Sequence, residues 1–119
     1  MGRKKHKIKK THDEILDDLV ERLCKKEYNS YIGREENYTY NMVDGEVDLY
    51  ELRMVKDKKY LLIFEVKSSD LKKNYNKAVK QLNKGYDFLN RKYIPDRTYC
   101  FYVAQDTVKR VYINGKNNM

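Results

Sequence analysis

Glu65 and Lys67 stand two residues apart at the end of the run YLLIFEVK, where charged groups are costly to place unless each meets a partner, a cation or water. Two residues apart on a strand, they project to one face, while Val66 between them points into the opposite packing layer. Upstream, Asp48 and Glu46 lie in a second alternating segment, and antiparallel pairing through a charged turn at 56–59 brings Asp48 beside Glu65. Carboxylates that converge in this way repel unless a divalent cation joins them. Such hard oxygen ligands suit Mg²⁺, with Mn²⁺ as a substitute, held by one or two carboxylates plus phosphate oxygens of a substrate. An adjacent ammonium can orient or help deprotonate an attacking water and offset charge in the transition state. Together these groups are equipment for hydrolysing a phosphodiester. The plainer alternative is a strand-end ion pair between Glu65 and Lys67.

The elements that must position these groups follow from periodicity. Thr11 caps a helix that runs to about residue 26, with Glu14 completing a capping-box pattern and Ile15, Leu16, Leu19, Val20, Leu23 and Cys24 marking its apolar stripe. Glu14, Asp18 and Glu21 line its opposite side. Glu14 can close the cap, serve the site, or do both. Residues 29–37 are polar, contain Gly33 and read as a loop. A strand at 38–43, an Asp44-Gly45 turn and a strand at 46–54 make a hairpin, in which Val47 and Leu49 alternate with Asp48 and Tyr50 as in a half-buried strand. Residues 60–66 are apolar on both faces, as a central strand requires. From 70 to 93, Leu71, Tyr75, Ala78, Val79, Leu82, Tyr86, Leu89 and Tyr93 recur at steps of three and four, predicting a long amphipathic helix that Pro95 stops. Residues 98–104 read as a buried strand, and 108–113 as an edge strand or a last helical turn. The expected fold is α/β: a central mixed sheet flanked by helices in the order α-β-β-β-α-β-β, with a right-handed crossover through the long helix.

The 119 residues, 40% hydrophobic and 37% charged, suffice for one domain with a modest core. The expected organisation is a flexible basic arm at 1–10, a single domain at 11–113 and a polar tail at 114–119. The net charge of +8 is uneven: six basic residues, Arg3, Lys4 and Lys5 among them, fall within the arm. Between Lys67 and Lys92 eight basic residues face two acids, leaving the rest of the body acidic. A basic face beside gathered carboxylates fits a protein that handles a polyanion near a metal. On the long helix Lys73, Lys77, Lys80 and Lys84 form one line at helical spacing. This is either a ridge that tracks phosphates or only the solvated side of the helix. No apolar stretch follows the basic arm, two cysteines sit in apolar surroundings and no apolar run approaches bilayer length. The expectation is therefore an intracellular protein (cytoplasmic, or in a host cell if viral) with no membrane partner. His6 and His12 are expected to face solvent near the terminus.

Gly45-Glu46-Val47-Asp48 and, after sixteen intervening residues, Glu65-Val66-Lys67 resemble the D…ExK core of the PD-(D/E)XK nuclease superfamily. The order of elements over roughly residues 11–104 is similar too, although Val47 stands where the superfamily's name has Pro. The resemblance implies a restriction-endonuclease-like core. It implies Asp48 and Glu65 as metal ligands, a carbonyl from Val66 completing the site, Lys67 as catalytic lysine, and a first-helix acid, Glu14 or less readily Glu21. The small size, the early Glu and the sequence FEVKSS most resemble archaeal-type Holliday junction resolvases, which act as homodimers on four-way DNA junctions. GEVDL also resembles a small uncharacterised bacterial endonuclease-like group. Gln81 and Tyr86 resemble the Gln/Tyr motif of the RecB-like branch, with a spacing one residue longer.

Two functions from different classes follow. One is a Mg²⁺-dependent endodeoxyribonuclease, structure-selective and resolvase-like, with Glu14, Asp48, Glu65 and Lys67 as catalytic groups. Its DNA, branched or junction DNA, would lie along Arg3, Lys4, Lys5, Lys73, Lys77, Lys80, Gln81 and Lys84. The other is a non-catalytic nucleic-acid-binding module on a nuclease-like scaffold.

Overall fold

Helix α1, His12–Cys24, starts where Thr11 and Glu14 predict it in the computed structural model, which describes residues 9–26, 29–40 and 42–113. The Glu14 N–H donates to Thr11 Oγ1 at 3.2 Å, and the Thr11 N–H donates to Glu14 Oε1 at 2.9 Å, closing the capping box. Ile15, Leu16 and Leu23 are buried along the predicted stripe, with Leu19 and Val20 packed beside them. Cys24, assigned to the same stripe, is instead exposed at the last helical residue. The arm as far as residue 8, with Arg3, Lys4, Lys5 and His6, and the tail at 114–119 lie outside the described residues.

Strand β1, Asn29–Tyr40, and strand β2, Val43–Val55, form a long antiparallel hairpin, which corrects two expectations. The polar segment at 29–37 is strand rather than loop, and Asp44-Gly45 lies within β2 opposite Thr39 and Tyr38 rather than in the turn. Both corrections have one physical cause. Gly33 sits across from Tyr50 and Gly45 across from Tyr38, and a Cβ on either glycine would come within 2.3–2.4 Å of the facing ring. These glycines are places where a cross-strand tyrosine lies down on bare backbone, not turn residues.

Strand β3, Lys58–Val66, pairs antiparallel with β2 through a two-residue turn in which Lys56 takes φ 56°. Helix α2, Lys72–Tyr93, then crosses over to strand β4, Arg97–Ala104, which runs parallel to β3 as expected. Ile94 ends α2 in the left-handed conformation, its N–H donating to the Asn90 carbonyl at 2.9 Å, and Pro95 follows. Strand β5, Thr107–Val111, settles the last segment as an edge strand. The result is an α/β fold with a mixed five-stranded sheet in the order β1-β2-β3-β4-β5, flanked by two helices.

Alternation along β3 divides the core. Leu61 and Ile63 pack with Ala78, Leu82 and Leu89 of α2, whereas Phe64 and Val66 pack with Ile15, Leu16 and Leu23 of α1. The expected half-burial of β2 does not hold: every residue from Val47 to Glu51 is buried, because helices cover both of its faces. Among the described residues no helix is long and apolar enough to cross a membrane.

Midway along the hairpin both strands exchange faces. Leu49 packs under α1 and Tyr50 under α2, yet Val47 packs under α2 again. On β1, Arg34 reaches Asp17 of α1, while Glu36 pairs with Lys92 of α2 at 3.0 Å. The exchange falls on Glu35, which has φ 50°, and on Asp48 across from it, the one step where the β1–β2 pairing is interrupted. Pairing of β2 with β3 also stops here, at Leu49 opposite Phe64. The two central strands therefore part at Asp48 and Glu65.

Candidate active site

Where β2 and β3 part, a side chain takes over from the backbone. The Val66 N–H donates to Asp48 Oδ2 at 2.9 Å, so the carboxylate of Asp48 continues the pairing that the β2 main chain has abandoned. This bond fixes Asp48, 5% exposed, against the end of β3, where its charge acts on the carboxyl of Glu65, 3% exposed. The proximity expected from antiparallel pairing is thus realised by side chains. Val66 packs its own side chain under α1, which leaves Glu65 and Lys67 on the α2 side.

Two buried carboxyls with one ammonium nearby are short of positive charge. Burial pushes the Glu65 carboxyl up to about 9, the neighbouring Asp48 and Glu46 push in the same direction, and Lys67 only partly opposes them. Lys67 Nζ lies 3.7 Å from Glu65 Oε2 and donates to Gln81 Oε1 at 2.7 Å. Gln81, half-buried on α2, thereby aims the ammonium. The lysine row flanks this contact: Lys73, Lys77, Lys80 and Lys84 are exposed, and Lys77 and Lys84 stand one helical turn to either side of Gln81.

Of the first-helix acids, Glu14 is exposed with its carboxylate held by the capping box, and Glu21 is exposed beside Lys25 at 3.9 Å. The side chain that α1 does deliver to the site is one the sequence reading sent to solvent. His12, the first residue of the helix, places Nε2 3.3 Å from Asp48 Oδ2 and Nδ1 3.2 Å from Asp13 Oδ1. Burial disfavours its proton, but the hydrogen bonds to Asp13 and Asp48 prevail and raise its pKa above the usual value. The only sequence signal for this role was adjacency to the Thr11 cap. Tyr38 is a core residue stacked on Phe88; burial raises its pKa, and the charge of Glu65 adds to the rise.

The donor set can be tested against a divalent ion. Among the described residues no three His, Cys, Asp or Glu side chains form a ready coordination sphere. The fit rests on the two carboxyls: both are buried where β2 and β3 part, and burial together with the charge of Asp48 favours the protonated form of Glu65. A hard cation that takes one or two carboxylates and completes its shell with water matches that requirement and would displace the proton. No family model matches the chain, and no curated protein matches it.

Proposed function

We propose that the chain is a metal-dependent endodeoxyribonuclease of the PD-(D/E)XK type, acting on branched DNA such as a four-way junction. The observation that carries this reading is the gathering of two buried carboxyls at the end of β3, Asp48 held there by the Val66 N–H at 2.9 Å and Glu65 next to it in the strand, with Lys67 Nζ 3.7 Å from Glu65 Oε2. Asp48 and Glu65 would hold Mg²⁺, or Mn²⁺ in its place, together with the carbonyl of Val66. A bound divalent ion supplies polarisation of the phosphorus–oxygen bonds and a water of lowered pKa. Lys67, steered by Gln81, would orient an attacking water toward phosphorus and offset charge gathering on the phosphoryl oxygens. Glu14 lies on the same first turn as His12 and is kept as a supporting acid. The lysine row beside Gln81 tracks the DNA backbone, and a twofold dimer would present two centres to the two strands of a junction.

The test is incubation with an immobile four-way junction, a linear duplex and single strands, in Mg²⁺ or in EDTA. The reading requires Mg²⁺-dependent products from the junction and none in EDTA or with Asp48→Asn. Products that persist with both Asp48→Asn and Lys67→Ala contradict it. The exposed lysine row independently favours a second reading, a DNA-binding module without turnover. That reading requires junction binding and no product under any metal.

A further inference from the structure

We propose that the half of the sheet left bare by α1 is a stacking platform for the unpaired bases of single-stranded DNA, built on Tyr60, Tyr99, Arg110 and Tyr112. It lies on the opposite face of the sheet from Glu65 and Lys67. The choice of DNA over RNA rests on the proposed function; the stacking chemistry and the charge do not.

The platform exists because one helix is short. The 13 residues of α1 span about 20 Å, against about 30 Å for the nine residues of β3. That length covers the end of the sheet where Leu49, Phe64, Val66 and Val103 are buried. At the other end of the same face, alternation brings up Tyr60 from β3, Tyr99 from β4, Arg110 from β5 and Tyr112 just beyond it. Among the described residues, neither Tyr60 nor Tyr99 packs into either core cluster. Both are half-buried, and Tyr112 is 56% exposed.

These side chains form one line across three strands. The ring centroids of Tyr60 and Tyr99 lie 6.5 Å apart with planes 30° from parallel. Arg110 Cζ sits 4.7 Å from the Tyr99 ring centroid and 4.6 Å from that of Tyr112. A guanidinium lodged between two rings is a planar cation held in place, with little freedom left to lose on binding. Aromatic groups set side by side on a rigid sheet suit flat partners, and every base has a π-face.

Charge narrows the partner. Alternation sets Lys58 and Arg97, both exposed, on this face beside Tyr60. Glu51, the acid that it also puts there, is buried and forked by Arg53. Asp57 and Asp96 lie in the loops at this end, and Asp96 accepts from the Lys59 N–H at 2.7 Å. A second copy docked here about a twofold axis would set this basic patch against itself. A strand of phosphates carrying bases answers the cations and the rings together.

The experiment measures binding of the full chain, in EDTA so that the metal centre takes no part, by fluorescence anisotropy. The probes are labelled oligo(dT), oligo(rU) and an abasic deoxyribose-phosphate strand of the same length. Wild type, Tyr99→Leu and Tyr112→Ala are compared, NMR follows the ring protons of Tyr60, Tyr99 and Tyr112, and sedimentation gives the oligomeric state. Tyr112 is exposed beyond the end of β5, so Tyr112→Ala reads the platform even if Tyr99→Leu fails to fold. The expected result is tighter binding of oligo(dT) than of the abasic strand and a loss of roughly fivefold or more for oligo(dT) in either variant, with little change for the abasic strand. The three tyrosines should show ring-current shifts only when bases are present. Equal affinity for the two deoxyribose strands with unshifted ring protons overturns the platform and leaves the centre of Asp48 and Glu65 untouched. Tighter binding of oligo(rU) than of oligo(dT) overturns the assignment to DNA. A dimer that Tyr112→Ala splits, with no preference for bases, makes the face an interface between copies and overturns the proposal. Base-dependent binding in a protein that cleaves no junction removes the nuclease and upholds the platform.

Discussion

Two glutamates, Glu51 on β2 and Glu65 on β3, are both almost fully enclosed by the same sheet, and their surroundings treat them in opposite ways. Glu51 is completely buried, and the Arg53 guanidinium forks onto it, Nη2 to Oε1 at 2.6 Å and Nε to Oε2 at 3.1 Å. Its charge is answered within its own strand. Glu65 meets another carboxyl instead, with a single lysine at 3.7 Å that is shared with Gln81. The difference teaches what separates a structural buried charge from a poised one. The first is neutralised by geometry already in place, and the second is left wanting a cation at a rim where two strands separate.

The largest way to break this contrast is to remove an acid of the poised pair. Asp48→Asn should abolish metal-dependent junction cleavage, a loss of roughly 10³-fold or more, with DNA binding retained in a gel-shift assay. Arg53→Ala is the matching insult to the neutralised pair. It should leave cleavage chemistry per folded molecule intact and destabilise the fold by about 3 kcal/mol in urea unfolding, because it strands a buried carboxylate.

Glu65→Gln should do the opposite and stabilise the metal-free protein by roughly 1–2 kcal/mol at pH 8. The sign follows from the raised pKa: from the ordinary 4.5 to about 9, the folded state keeps a proton that the unfolded chain releases. Stability from this group is whole below pH 4.5 and is lost as pH climbs toward 9. Wild-type unfolding free energy measured across that window should therefore fall with pH, and the Glu65→Gln curve should be flatter. A wild-type curve no steeper than the variant's would place Glu65 among the neutralised charges. The smallest effect is expected from the lysine row, which touches neither pair. Lys77→Ala should weaken junction binding uniformly and reduce the slope of log affinity against log salt by about 0.9.

The contrast also marks what could be read before the structure. The neighbourhood of Asp48 and Glu65 was legible because a hairpin's register ties distant residues together once the turn between them is placed, and the stripe of α2 was legible because Ala78, Leu82 and Leu89 keep helical spacing. The left-handed step at Glu35 and the exchange of faces at Asp48 carry no compositional mark, so β2 read as half-buried. Gly33 and Gly45 misled because glycine under a tyrosine ring and glycine in a turn look alike in one dimension. His12 was illegible for a different reason: whether the first residue of a helix reaches a neighbouring strand depends on how the helix docks, which periodicity does not encode.

Calorimetric titration of the wild-type chain with Mg²⁺ at pH 7.5, repeated in two buffers of different ionisation enthalpy, counts the protons released per ion bound. If Asp48 and Glu65 jointly hold a cation, close to one proton should leave with each ion bound, and Glu65→Gln should abolish the release. Binding with no proton released, or no binding at all, would contradict the account.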